Sequence, residues 1–130
     1  MKRPGRRSRA DPARLRARRR GRFAESLCRW HLRLRGWRIL AAAWRCPAGE
    51  IDILARRRGV LVAIEVNSRA NFATGAAALL PRQRRRIARA VEAFLATRPE
   101  LTPLALRFDV MVVDPLRLPQ HLPGAWRSDS

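Results

Sequence analysis

Apolar residues along this chain recur with two periods, and the places where the period changes mark the elements. Between residues 22 and 35, Phe23, Leu27, Trp30 and Leu34 recur at helical spacing. They predict a first helix with a core stripe, closed by Gly36 at its C′ position. Glu25 falls beside that stripe, in line with Cys28 and Leu32, near the expected helix–sheet junction. The period then shortens to two. "GWRILAAAWRC" reads as a first strand, "PAG" as a turn, residues 50–55 as a second strand and residues 60–68 as a third. A loop, "NFATGAAALLP", leads to a second helix over 81–97, with Pro81 at a tolerated first position and Ile87, Val91 and Phe94 on its core side. "ALRFDVMVVD" is a fourth strand. The order αβββαβ predicts an α/β domain with a mixed central sheet flanked by helices. Residues 1–21 lack the apolar content to pack and read as a disordered basic arm, helical from Pro12 if bound to a partner. The folded domain spans 22–115, and residues 116–130, with Pro119 and Pro123, read as an irregular tail.

Strand alternation sorts the acidic residues. Ile51 and Ile53 share one expected face of the second strand, and Glu50, Asp52 and Leu54 the other. On the third, Leu61, Ala63, Glu65 and Asn67 lie together. A two-residue turn at Arg58-Gly59 sets Asp52 opposite Glu65; a four-residue turn sets Glu50 there instead. A one-residue slip is forbidden, because it would bury an acid against Ile64. Like charges on one face repel unless a proton or a cation intervenes. Two readings stay open from spacing alone: an oxygen-ligand site for Mg²⁺ or Mn²⁺, or a solvated acidic edge paired to arginines.

Charge changes the picture next. The 130 residues carry 29 Lys+Arg against 10 Asp+Glu, a formal net charge of +19, which favours a polyanionic partner. Lys2 is the only lysine, so part of the arginine content reflects compositional drift; the net sign does not. Nucleic acid leads, with an anionic membrane surface or a ribosomal setting as competitors. Arg82, Arg85, Arg86 and Arg89 form a phosphate-contacting stripe on the second helix, and Trp44, beside Arg45, is the tryptophan placed to stack on a base. No apolar run is long enough for a bilayer, and the two cysteines suggest no disulfide framework, so a reducing cytoplasm is the expected location. Cys28, His31, Cys46 and His121 match no tight zinc spacing. Asp109, pointing away from the apolar face of its strand, reads as structural rather than as a further metal acid.

The stretches "GEIDILA", "VAIEVNSR" and "RFDVMVVD", in that order, resemble the YraN-like family of small, largely uncharacterised bacterial proteins, over roughly residues 21–127. That family resembles a branch of the restriction-endonuclease-like superfamily, with its PD-(D/E)xK site, which includes Holliday-junction resolvases. The resemblance implies an endonuclease-like αβββαβ core in which Asp52 and Glu65 are metal-binding acids, Glu25 completes the site from the helix and Glu50 supports it. It implies Mg²⁺-dependent phosphodiester hydrolysis on nucleic acid, DNA favoured over RNA, and leaves a homodimer open, since resolvases act on two-fold substrates. Three positions depart from the family pattern: Asn67 and Gln83 stand where lysines are usual, and Ala43 where Asn is usual. Asn67 can hydrogen-bond water and phosphate but carries no charge and cannot act as a base. Arg69, on the same strand face, is expected to supply charge in its place, though not base function. The alternative is therefore a nucleic-acid-binding module that keeps the nuclease fold but cleaves poorly.

Overall fold

The computed structural model describes residues 12–69 and 81–127, with side chains from residue 22 onward. Its elements are α1 (Pro12–Leu34), β1 (Arg38–Cys46), β2 (Gly49–Arg57), β3 (Val60–Ser68), α2 (Pro81–Thr97), a short 3₁₀ turn (Pro99–Leu101), β4 (Ala105–Asp114) and β5 (Arg117–Trp126). The loop expected at 71–80 and the start of the basic arm lie outside the described residues. The expected αβββαβ order is present, extended at both ends. The first helix begins at Pro12 rather than near Arg22. The presumed irregular tail is mostly β5.

The strands form one sheet in the order β1-β2-β3-β4-β5. Three neighbouring pairs are antiparallel, and β3 and β4 run parallel, joined by a crossover that contains α2. β5 is an edge strand, and that is why two prolines fit in it: an edge leaves one row of backbone groups unpaired, so a missing N–H breaks no inner ladder. The pairing of β4 with β5 shifts register between Phe108 and Val110 and again between Val112 and Asp114, which absorbs the irregularity. Trp126 ends β5 stacked on Phe108, with ring centroids 4.1 Å apart.

Two clusters fill the spaces between sheet and helices. On one side Ala90, Val91 and Phe94 of α2 pack on Leu54, Leu61, Ala63, Phe108, Val110 and Val112. On the other, Cys28 and Leu32 of α1 pack on Trp37, Ile53, Val62, Ile64 and Met111. The phase of α1 differs from expectation. Cys28 and Leu32 are fully buried, whereas Phe23, Trp30 and Leu34 are 66%, 61% and 79% exposed. Both sets have helical spacing. The sheet accepts the row with the small residues Ala24 and Cys28, which lets the helix approach closely. Of the expected stripe Leu27 still packs against this cluster, and Phe23, Trp30 and Leu34 face solvent. Among the described residues no helix is long and apolar enough to cross a membrane.

The end of α1 is set by local chemistry. Gly36, with φ of +89°, stands in the left-handed conformation. The Trp37 N–H donates to the Leu32 carbonyl at 3.0 Å and the Gly36 N–H to the Arg33 carbonyl at 3.1 Å, a Schellman closure. The closing hydrophobic contact is supplied by Trp37, buried in the same cluster as Leu32. Ala43 also has a left-handed φ, of 50°. Asn tolerates that region better than Ala does, a physical reason for the Asn usual at this position in the family that the motifs resemble.

Candidate metal and phosphate site

The β2–β3 hairpin closes through Arg58-Gly59, pairing Arg57 with Val60 and Ile53 with Ile64. Of the two registers open from the sequence, this is the two-residue one, and it carries Asp52 and Glu65 toward each other. The regular ladder stops one pair short of them. There the Val66 backbone N–H donates to Oδ2 of Asp52 at 3.0 Å, so the carboxylate takes the place of a strand carbonyl. β2 turns at this point. Ile51 packs in the α2-side cluster and Ile53 in the α1-side cluster, although residues two apart on a regular strand share a face. The expectation of one common face for these isoleucines is corrected by that turn.

Glu50, Asp52 and Glu65 line one cavity of about 440 Å³, roofed by Arg82, Gln83, Arg86 and Ile87 of α2. The first two turns of α2 thus face the acids, with the positive end of the helix dipole and Arg82 and Arg86. Gly49 allows this approach: a Cβ there would stand 2.3 Å from the Arg86 carbonyl oxygen, against backbone that cannot move aside cheaply. Glu25 is not a wall of the cavity, yet its charge is felt by Glu65, and it feels Asp52 and Glu50 in turn.

The electrostatics are those of crowded, partly dehydrated carboxylates. Burial raises the Glu65 carboxyl to about 8, helped by the charges of Asp52, Glu50 and Glu25. Burial also raises Glu25 to about 7, with Asp52 and Glu50 adding to it and Arg29 and Arg45 opposing. Asp52 is raised by burial and by Glu50, against the Val66 hydrogen bond. The ion pair from Arg45 to Glu50, 3.5 Å long and exposed, relieves little of this. Among the described residues no other ion pair or hydrogen bond neutralises Asp52 or Glu65.

The other expected site residues divide. Arg82 and Arg86 are cavity walls; Arg85 and Arg89 are exposed on α2 outside it. Asn67 is half-buried on β3 and is not a wall. Arg69 does not turn back to the acids. Its Nε pairs with Oδ2 of Asp114 at 3.0 Å, a correction to the charge expected of it. Trp44 is half-buried on β1 and packs its ring edge-on against Phe94, centroids 5.4 Å apart. Gln83, read from the sequence only as a missing lysine, is a cavity wall. The signal that could have found it is its place in the first turn of α2, one residue from Arg82.

Asp109 is fully buried and structural. It accepts two hydrogen bonds from Arg107, both 2.9 Å, one from Gly124 N–H at 2.9 Å, and contacts Nε2 of His121 at 2.7 Å. His121, on β5, is a largely buried member of this clasp. Cys28 is buried and its thiol is pushed up to about 12 by burial first and then by Glu25 and Asp52, which leaves it unreactive. Among the described residues no three His, Cys, Asp or Glu side chains are gathered into a ready metal cage. The acids around the cavity supply oxygen donors only, the chemistry of a hard divalent ion rather than of zinc.

Comparison with known proteins bears on the whole of this core. A family model described as "Uncharacterised protein family UPF0102" matches residues 24–113. A UPF0102 protein of Paramagnetospirillum magneticum is 48% identical over 117 residues, covering 87% of this chain and 91% of the relative. One from Rhodopseudomonas palustris is 46% identical over 115 residues, with 88% of each covered. One from Parvibaculum lavamentivorans is 46% identical over 104 residues, covering 80% and 78%. None of these names states an activity.

Proposed function

The chain belongs to the uncharacterised protein family UPF0102, the YraN-like family its motifs resemble, and we propose that it is a nucleic-acid-binding protein that hydrolyses phosphodiester bonds, DNA before RNA, with Mg²⁺ or Mn²⁺. One observation carries the reading: Asp52 and Glu65 wall the same cavity, partly dehydrated and with no ion-pair partner among the described residues, beneath Arg82 and Arg86. A structural acid is paired, as Asp109 is. Unpaired acids this crowded are destabilising unless a proton or a cation neutralises them. A cavity open to solvent beneath a phosphate-binding helix favours the cation.

Oxygen donors with mutual repulsion fit a hard divalent ion. Asp52 and Glu65 would hold it, with Glu50 at the cavity wall and Glu25 acting through charge from α1. A bound ion supplies Lewis-acid activation of the phosphate and of the attacking water. Arg82, Arg86 and the first turn of α2 bind the anionic backbone across the cavity. Arg85 and Arg89 extend that basic face along the helix.

A second reading is favoured by Asn67: with no lysine on the cavity wall among the described residues, the protein binds nucleic acid and cleaves it poorly. Both readings predict affinity that falls steeply with salt. The deciding assay is nicking of linear and branched DNA in Mg²⁺ and Mn²⁺. The first reading expects metal-dependent nicking that drops by ~10³-fold or more in Asp52→Ala. The second expects none from the native chain and a gain in Asn67→Lys. Cleavage indifferent to both substitutions and to chelator removes the site.

A further inference from the structure

At the other end of the same hairpin the sign of the charge reverses. A cavity of about 630 Å³ is walled by Arg35 and Trp37 at the end of α1, Arg57 and Arg58 at the hairpin turn, and Arg107 of β4. We propose that this is a second binding site, for a phosphate-bearing ligand, separate from the acidic cavity. Asp52 and Arg57 are five residues apart on β2, roughly 17 Å along a strand. The acidic cavity is roofed by α2, whereas this one is walled by the C-terminal turn of α1. The inference does not rest on any chemistry at the acids.

Four arginines around one cavity could be no more than a solvated face of a basic protein. Two observations argue for a built site. Arg107 is held by both carboxylate oxygens of the fully buried Asp109, each at 2.9 Å, and its guanidinium lies 5.7 Å from the Trp37 ring centroid. Arg57 donates to the Arg35 carbonyl at 3.0 Å and sits over the same indole at 4.4 Å. Two cations are thus fixed against one buried ring before any ligand arrives, so little side-chain entropy remains to be lost on binding.

Fixing like charges together raises the folded state's energy unless an anion answers them. Among the described residues the one carboxylate held here is Asp109, behind Arg107, so the cavity stays strongly positive. Guanidinium forks match phosphate oxygens in pairs, and the volume lies within the small-molecule range of roughly 300–1,000 Å³. The class of ligand is therefore a phosphoryl anion, whether a free phosphate ester or a phosphate of a nucleic acid.

The test is calorimetric titration of the full chain with inorganic pyrophosphate at low ionic strength. We expect one saturable site, weakened by roughly tenfold or more in Arg57→Ala/Arg58→Gly, since charge-assisted hydrogen bonds to phosphate are the stronger ones. Glycine suits position 58, where φ is 55°. A charge-matched control, Arg22→Ala/Arg117→Ala, removes two exposed arginines elsewhere and leaves the site intact. If the first variant does not fold by circular dichroism, Arg35→Ala takes its place, with a loss again absent from the control. Competition with a short DNA duplex assigns the source: displacement of pyrophosphate means nucleic-acid phosphate, and persistence means a free ester. Absence of a saturable site, or equal weakening in both double variants, overturns the proposal.

Discussion

Two acidic regions of this molecule, one fully buried and one half-buried, both lose water on folding and behave oppositely. Burial pushes the Asp109 carboxyl up, but His121, Arg107 and the Gly124 N–H outweigh it and hold the group below the usual aspartate value. Burial pushes Asp52 and Glu65 up as well, and there a single backbone N–H opposes it on Asp52, while neighbouring acids add to it on Glu65. Dehydration is common to both. What separates a clasp from a candidate site is whether donors were supplied along with the burial. The contrast teaches that a buried acid is informative for function in proportion to the partners it lacks.

The comparison breaks most visibly at the clasp. Asp109→Asn leaves Arg107 and His121 facing a neutral acceptor, and should cost about 3 kcal/mol. That lowers the melting temperature by roughly 10 °C in calorimetry. The sign on acidification is also fixed. Asp109 titrates lower when folded, so its contribution is present above the unfolded aspartate value and is lost as pH falls through the folded one. The native chain should lose this increment in acid, and the variant should not.

Metal sharpens the other side. With Mg²⁺ at about ten times its dissociation constant, the native chain should gain about 1.4 kcal/mol near pH 8. The gain should shrink near pH 5, well below the value of about 8 at which Glu65 gives up its proton, and vanish in Asp52→Asn; differential scanning fluorimetry with and without chelator reads it. A smaller effect separates the acids from structural ones. Glu65 holds its proton to about 8 when folded. Stability in chelator therefore falls as pH rises from the unfolded glutamate value toward 8, then levels. Glu65→Gln removes that penalty, so it should melt higher than native near pH 9, by about 1 kcal/mol, and merge with it near pH 4. A lower melting point at both values would make Glu65 a structural acid like Asp109.

Much of this contrast was legible before any coordinates. The element order and the matching of acidic face to acidic face across the hairpin follow from alternation, because a one-residue slip would bury charge. Alternation did not choose between Asp52 and Glu50 opposite Glu65, which the length of the turn decides. Alternation does not report partners, so Asp109 and Asp52 look alike in sequence while their surroundings differ. The phase of α1 was hidden because two rows fit the helical period and only the sheet chooses between them. β5 was hidden because proline argues against a strand, and edge position, a property of the whole sheet, reverses that argument. Arg69 was read as available because availability depends on Asp114, distant in sequence.

Gly49 gives the acidic cavity its dimensions without contributing a single polar atom to its chemistry. The helix rests on a hydrogen where any other residue would interpose a methyl group. The gap between guanidiniums and carboxylates is thereby gauged by backbone on both sides rather than by adjustable side chains. A chain altered only at this position would keep every acid and every arginine and still present them at the wrong separation, so the loss would look chemical while its origin was a matter of fit.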